Sequence, residues 1–249
     1  MVEFGKEFNY YCRSLIRIIY PANCVLCKIP LVLDETYLCI KCFETIEPLK
    51  KPVCVKCAHL LPPYGTERSL CSNCRSERPY YNRGFALVKY DDRTKSIFHQ
   101  IKFQKKFWLM NIFSKLITCF SSSAELANYD MIVPVPLDPR RERERGFNQA
   151  RIIAQILKQA NKKNAILISD ALIKRKKTPS QSQLKRQERL VNLEGAFSAK
   201  KRGYVRGKHV LLVDDIFTTG STMNECAKIL KEDGAERVDF LAIARSSSI

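Results

Sequence analysis

The stretch VLLVDDIFTTGST, residues 210–222, runs from four apolar residues through two adjacent acids into a cluster of hydroxyls around one glycine. A short continuous apolar run of this kind reads as a strand buried on both faces, the type found in parallel sheets. In such sheets ligands bind beyond the carboxyl ends of the strands. Asp214 and Asp215 therefore emerge where a ligand would sit. Thr218, Thr219, Gly220, Ser221 and Thr222 then turn the chain into a helix. Backbone N–H groups at a helix N-terminus, with glycine permitting close approach and hydroxyls adding donors, form an anion cradle suited to a phosphate. Carboxylates beside that cradle would repel the anion unless they face something else, either the hydroxyls of a sugar or a divalent cation. The spacing predicts a ribose 5-phosphate lying along the loop, sugar over the acids and phosphate over the hydroxyls.

Working outward, the chain from residue 83 alternates between the two secondary-structure periods. GFALVKY (84–90), YDMIVPVP (129–136), HVLLVDD (209–215) and VDFLAIA (238–244) read as strands, and AILISDALIK (165–174) as a strand or a pair of strands. SIFHQIKF, KFWLMNIFSKLITCF and GFNQARIIAQILKQANKKN read as helices between them, and Ser221 to about Asp233 as a helix ended by Gly234. The alternation predicts a mostly parallel, doubly covered α/β sheet over residues 83–249.

Ahead of it, eight of the 11 cysteines fall into four CxxC pairs: Cys24/Cys27, Cys39/Cys42, Cys54/Cys57 and Cys71/Cys74, separated by 11, 11 and 13 residues. A CxxC knuckle aims two thiolates at one centre, and a second knuckle completes the tetrahedron that Zn²⁺ prefers. Residues 23–82 are thus expected to be a double zinc ribbon with two structural Zn²⁺ sites. Short loops favour consecutive pairing of the knuckles, with a cross-braced pairing as the alternative. Cys12, Cys119 and Cys226 lie in apolar helical contexts and read as small buried hydrophobes. Residues 1–22 read as an amphipathic helix, not a signal peptide. No apolar run approaches the roughly 18 residues a membrane span needs. Together these features predict a cytoplasmic protein whose thiols stay reduced.

The formal charge is +18. Two segments carry most of it: residues 93–115 hold six Lys or Arg and no acid, and residues 171–210 hold twelve against two. Such a surface suits polyphosphates or a nucleic-acid backbone. The run KRKK at 174–177 reads by default as a solvated loop.

VLLVDDIFTTGST resembles the phosphoribosyl pyrophosphate (PRPP) motif of type I phosphoribosyltransferases. The chain as a whole, with CVLC, CIKC, CVKC and CSNC, then VPVPLDPRRERERGFNQA (133–150) and RKKTPSQSQLKRQERLVNLEGAF (175–197), is similar to the ComF family of competence-associated proteins from about Leu15 to Arg245. The resemblance implies a zinc ribbon followed by a type I phosphoribosyltransferase fold. It implies that Asp214 and Asp215 hold the ribose hydroxyls and Mg²⁺, and that Thr218, Thr219, Gly220, Ser221 and Thr222 bind the 5′-phosphate. Arg140, Arg141 and Lys102 become candidates for the pyrophosphate, and the basic segment 174–190 corresponds to a loop closing over the site. The activity implied is displacement of pyrophosphate from PRPP, with partners in the competence machinery and a role in handling incoming DNA.

Two alternatives compete. A strand ending in two acids would suit a nucleotide-driven motor, but GYVRGKH (203–209) has too short a glycine spacing for a phosphate loop and lacks the following Ser or Thr. The other is a non-catalytic module that binds single-stranded DNA through basic loops, with Phe103, Phe107 and Trp108 stacking on bases. Helical periodicity favours core positions for those three aromatics.

Overall fold

A computed structural model describes residues 22–32, 35–50, 52–66, 69–121, 129–160, 167–175 and 195–246. All but the last residue of the N-terminal helix expected over 1–22, together with Cys12 and most of the basic segment 174–190, lies outside them.

Among the described residues the strands are β1 (Gly84–Lys89), β2 (Met131–Pro134), β3 (Leu167–Ile168), β4 (Leu172–Lys174), β5 (Phe197–Ala199), β6 (His209–Phe217) and β7 (Arg237–Arg245). The helices are α1 (Ile40–Glu44), α2 (Ser72–Glu77), α3 (Asp92–Phe103), α4 (Ser114–Ser121), α5 (Pro139–Arg145), α6 (Gln149–Ala160) and α7 (Ser221–Glu232), with a 3₁₀ segment, Phe107–Phe113, between α3 and α4. Five strands form one wholly parallel sheet in the order β1-β7-β6-β2-β3. β4 and β5 make a separate antiparallel pair.

The order locates the ligand site. From β2 the chain moves outward to β3, whereas from β6 it moves the other way to β7, so connections diverge on either side of the adjacent β2 and β6. A crevice opens beyond the carboxyl ends of strands at such a switch point. Asp214 and Asp215 stand near the end of β6, and Val135 to Leu137 follow the end of β2.

β2, β6 and β7 each feed two cores because successive side chains alternate between faces. On one face Leu211, Val213, Leu241 and Ile243 pack with Ile97, Phe98 and Ile101 of α3, Leu109, Met110 and Phe113 of the 3₁₀ segment, and Ile153 and Leu157 of α6. On the other, Val210, Leu212, Val238, Phe240 and Ala242 pack with Met223, Cys226 and Leu230 of α7 and with Leu172 and Phe197 of the β4–β5 pair. The continuous apolar reading of β6 thus reflects burial on both sides.

The two ribbons divide between these faces. Cys24, Leu31, Leu38 and Ile46 join the first core, and Cys54, Cys57, Cys71, Cys74 and Tyr81 join the second. The linker between them runs antiparallel along β1, with Leu49 N–H donating to Leu87 and Lys89 N–H to Glu47, which covers an otherwise open sheet edge. At the start of β1, Gly84 donates to the Val55 carbonyl of the second ribbon at 3.0 Å. A Cβ at Gly84 would lie 2.2 Å from the Lys56 carbonyl and 2.3 Å from the Phe240 ring, so only glycine fits. The ribbons are built into the sheet's two cores and clasp its β1 edge.

Three aromatics expected in the core lie at the surface. Phe103, Phe107 and Trp108 are 67%, 50% and 43% exposed and are not core. α3 ends at Phe103, Lys105 takes φ +55°, and the next segment has a 3₁₀ repeat, so a helical period cannot be carried through residues 103–108. Cys119 is exposed, contrary to its reading as a buried hydrophobe, while Cys226 is buried.

Candidate ligand cleft and metal centres

A cleft of ≈ 410 Å³ lies at the switch point. Asp214, Asp215, Thr218, Thr219, Gly220, Ser221, Thr222, Lys102 and Arg141 all line it, so α3, α5, β6 and the start of α7 converge. Arg140 is exposed and is not among the lining residues. Arg145, Lys174, Tyr90 and Asn148 line it as well.

The arginines are placed by α5. Asp138 caps this helix, accepting from Arg140 N–H at 2.9 Å, and Pro139 occupies its first turn. Arg141 and Arg145 are four residues apart and share a face, whereas Arg140 is rotated away. The Asp-Pro start and the i, i+4 spacing are the sequence signal by which Arg145 can be found. Burial pulls its pKa below the ordinary arginine value, partly opposed by the charge of Asp215.

Lys174 corrects the reading of KRKK as solvated throughout. It ends β4 and sits 5.3 Å over the Phe197 ring, facing the cleft, while Arg175 is exposed and Lys176 and Lys177 lie outside the described residues. Burial depresses its pKa, and Arg141 adds to the effect.

The acids are held in different ways. Asp215 is buried and pairs with Lys102 Nζ at 2.7 Å, so a lysine from the end of α3 already occupies the cationic position beside it. Asp214 Oδ1 accepts from the Asp215 backbone N–H at 2.9 Å. Burial, then the neighbouring Asp215 charge, raises the Asp214 pKa from 3.8 to about 7, with Lys102 and Lys174 pulling the other way. The carboxylate pair is thus poised to exchange a proton for a cation or for hydroxyl donors.

The following loop has the shape of an anion cradle. Gly220 takes φ +84° immediately before α7, and a Cβ there would meet the Phe217 ring at 2.6 Å. Thr219 and Ser221 hydroxyls lie 2.8 Å apart. The 12-residue α7 points its N-terminus at the cleft, adding its dipole to these donors.

The cysteines form two compact groups, Cys24/Cys27/Cys39/Cys42 and Cys54/Cys57/Cys71/Cys74, with all Sγ atoms of a group within 4.8 Å of one another. The pairing is consecutive. Tetrahedral Zn²⁺ with bonds of about 2.3 Å needs sulfurs about 3.8 Å apart. Cys27–Cys39 at 3.7 Å and Cys57–Cys71 at 3.5 Å fit that requirement. Both sites use one local design: Lys28 and Ala58 follow their first knuckles at φ +66° and +54°, and each donates its N–H to the carbonyl of Cys24 or Cys54. The second knuckles start short helices, with Cys39 and Cys71 as N-caps. Four thiolates close each site, so the metal's role is structural.

Comparison with known proteins agrees with both halves. Residues 15–75 match the double zinc ribbon domain, and residues 143–248 the phosphoribosyl transferase domain. The chain is 30% identical over 230 residues to Competence protein F of Haemophilus influenzae, covering 90% of this chain and 97% of that one. The chain belongs to the ComF family. DNA utilization protein YhgH of Escherichia coli K12 is 31% identical over 231 residues, with 91% and 98% covered. Competence protein ComFC of Bacillus subtilis is 28% identical over 246 residues, with 92% and 97% covered. Among solved structures, purine phosphoribosyltransferase from Pyrococcus horikoshii aligns with a TM-score of 0.34 at 14% identity, over 55% of this chain and 84% of that one.

Among the described residues no helix is long and apolar enough to cross a membrane.

Proposed function

We propose that the cleft binds PRPP or a related ribose 5-phosphate together with Mg²⁺, and that the protein acts in DNA uptake in the cytoplasm. The observation carrying this reading is the convergence of two acids, a hydroxyl-rich helix N-terminus and two arginines of one helix face on a single cleft. The roles follow from charge. Asp214 and Asp215 accept from the ribose hydroxyls or provide oxygen ligands to Mg²⁺; Thr218 to Thr222 donate to the 5′-phosphate; Arg141, Arg145 and Lys102 balance a diphosphate. Bound Mg²⁺ would supply further charge neutralisation on the phosphates. The reaction class such a site supports is transfer of the ribosyl group from PRPP to a nucleophile with release of pyrophosphate, the arginines taking up the departing charge. The names of the relatives, competence and DNA utilization proteins, support the DNA-uptake context.

Calorimetric titration with PRPP and Mg²⁺ tests the site. The wild type is expected to bind, and Asp214→Asn with Asp215→Asn to lose that binding. No heat from the wild type overturns the assignment.

One observation favours a second activity beside the first. Phe103, Phe107 and Trp108 present exposed rings within the basic segment 93–115, an arrangement on which successive bases of a single strand could stack. A salt titration of single-stranded DNA binding separates the two. Weaker binding by Phe107→Ala with Trp108→Ala, and unchanged binding by the aspartate variant, would place DNA outside the cleft; wild-type affinity in the aromatic variant would remove this surface.

A further inference from the structure

Arg245, the last residue of β7, is only 4% exposed. Its Nε donates to the Cys57 carbonyl at 2.9 Å, its Nη1 donates to the Thr218 carbonyl at 3.0 Å and to that of Ser246, and the guanidinium lies 4.8 Å over the Phe217 ring. All of these partners are neutral. Among the described residues no carboxylate stands within ion-pair distance of it. A guanidinium buried without a counter-charge is strongly unfavourable. The second ribbon can provide one: four thiolates around Zn²⁺ carry a net charge of about −2, and Cys57 is one of the four.

On its other side Arg245 holds the first residue of the phosphate loop. Neighbouring contacts tie the same two parts together. Tyr80 N–H donates to Asn224 Oδ1 on α7 at 2.7 Å, and the Tyr81 ring packs edge-on against Phe217 and Phe240 at 6.2 and 4.9 Å. The first ribbon packs on the opposite face of the sheet.

We propose that Arg245 is a positioning residue that couples the second zinc centre to the phosphate loop. The loaded ribbon stabilises the buried guanidinium, and the guanidinium fixes the Thr218 carbonyl so that the N–H groups after it face the cleft. What the coupling serves rests on the sugar-phosphate reading of the loop; its physical test does not.

The test uses the full zinc-loaded chain. It compares wild type with Arg245→Met, Arg245→Lys, Cys71→Ser and Cys39→Ser in zinc release to a chromogenic chelator and in hydrogen exchange over residues 217–224. Arg245→Met is expected to release one of its two zincs about tenfold faster and to raise exchange in the loop about tenfold. Arg245→Lys keeps the charge but not the planar fork, so zinc retention returns while fast exchange persists. Cys71→Ser loosens the loop; Cys39→Ser leaves it protected. Wild-type values for both readouts in Arg245→Met, or equal loosening by the two cysteine variants, would overturn the proposal. Should Arg245→Met not fold, Arg245→Lys decides: retained zinc with raised exchange supports the coupling, and wild-type exchange refutes it. A parallel titration with PRPP and Mg²⁺ keeps the two readings apart, because a wild type that binds none removes the ligand while zinc release and exchange still decide the coupling.

Discussion

Replacing Lys102 with methionine removes the only cation paired with Asp215 among the described residues, at 2.7 Å in a largely buried setting. At an effective dielectric of about 20, unit charges that close attract by roughly 6 kcal/mol, much of which offsets desolvation. Removing one partner of a buried pair costs about 3–5 kcal/mol, and the residual exposure of the lysine side chain, 22%, argues for the low end. The carboxylate pair avoids that cost by taking up a proton. About 3 kcal/mol bounds the resulting shift at roughly two pH units. In the wild type the titrating group is Asp214, at about 7, so binding of a ligand that needs ionised acids should rise through pH 7 and level off above it. In Lys102→Met the rise should move to higher pH, within that bound, with more proton release on binding at pH 8 than in the wild type. Calorimetry of PRPP with Mg²⁺ in buffers of different ionisation enthalpy reads both quantities. Stability provides the opposite slope. A carboxyl whose folded pKa exceeds its unfolded value, 3.8, contributes fully below about pH 4 and loses that contribution as pH rises through about 7. The variant should extend this loss to higher pH. An unchanged binding midpoint with unchanged proton release would refute the reasoning, since Lys102 would then not set the protonation of the acids.

Three further outcomes follow from the same geometry. Arg141→Ala and Arg145→Ala should each weaken PRPP binding about tenfold or more, while Arg140→Ala should change it less than twofold; equal losses for all three would mean that α5 is not presenting one face to the ligand. Gly84→Ala should destabilise the chain by about 3 kcal/mol in denaturant unfolding, because its methyl meets backbone and a packed ring; a change under about 0.5 kcal/mol would show that the ribbon and Phe240 can move apart. Chelating both zincs should broaden or lower the unfolding transition of the whole chain, since ribbon residues form part of both cores; a sheet that melts at an unchanged temperature would contradict that packing.

What was legible in the sequence were the features that do not depend on packing between distant segments. The apolar run of β6 needs burial on both faces whatever its neighbours are, and the CxxC spacing announces tetrahedral sites by itself. The arrangement of the ribbons was not legible, because nothing in their own residues says that Cys24 and Cys54 belong to opposite faces of one sheet. Arg145 and Lys174 were obscured by their surroundings: each sits in a charged run, and only helix phase or strand position separates a cleft residue from a solvated one. Phe103, Phe107 and Trp108 misled for a related reason, since a helical period assumes a continuous helix and the chain breaks its repeat at Lys105.

Phosphorus NMR tests the division of labour in the cleft most directly, because it observes the 5′-phosphate and the diphosphate of PRPP separately. With Mg²⁺ and the wild-type chain both sets of resonances should shift. Gly220→Ala, whose methyl would strike Phe217, should abolish the 5′-phosphate shift first, and Arg145→Ala should diminish the diphosphate shift alone. Resonances that stay at their free positions with saturating wild-type protein would contradict the account.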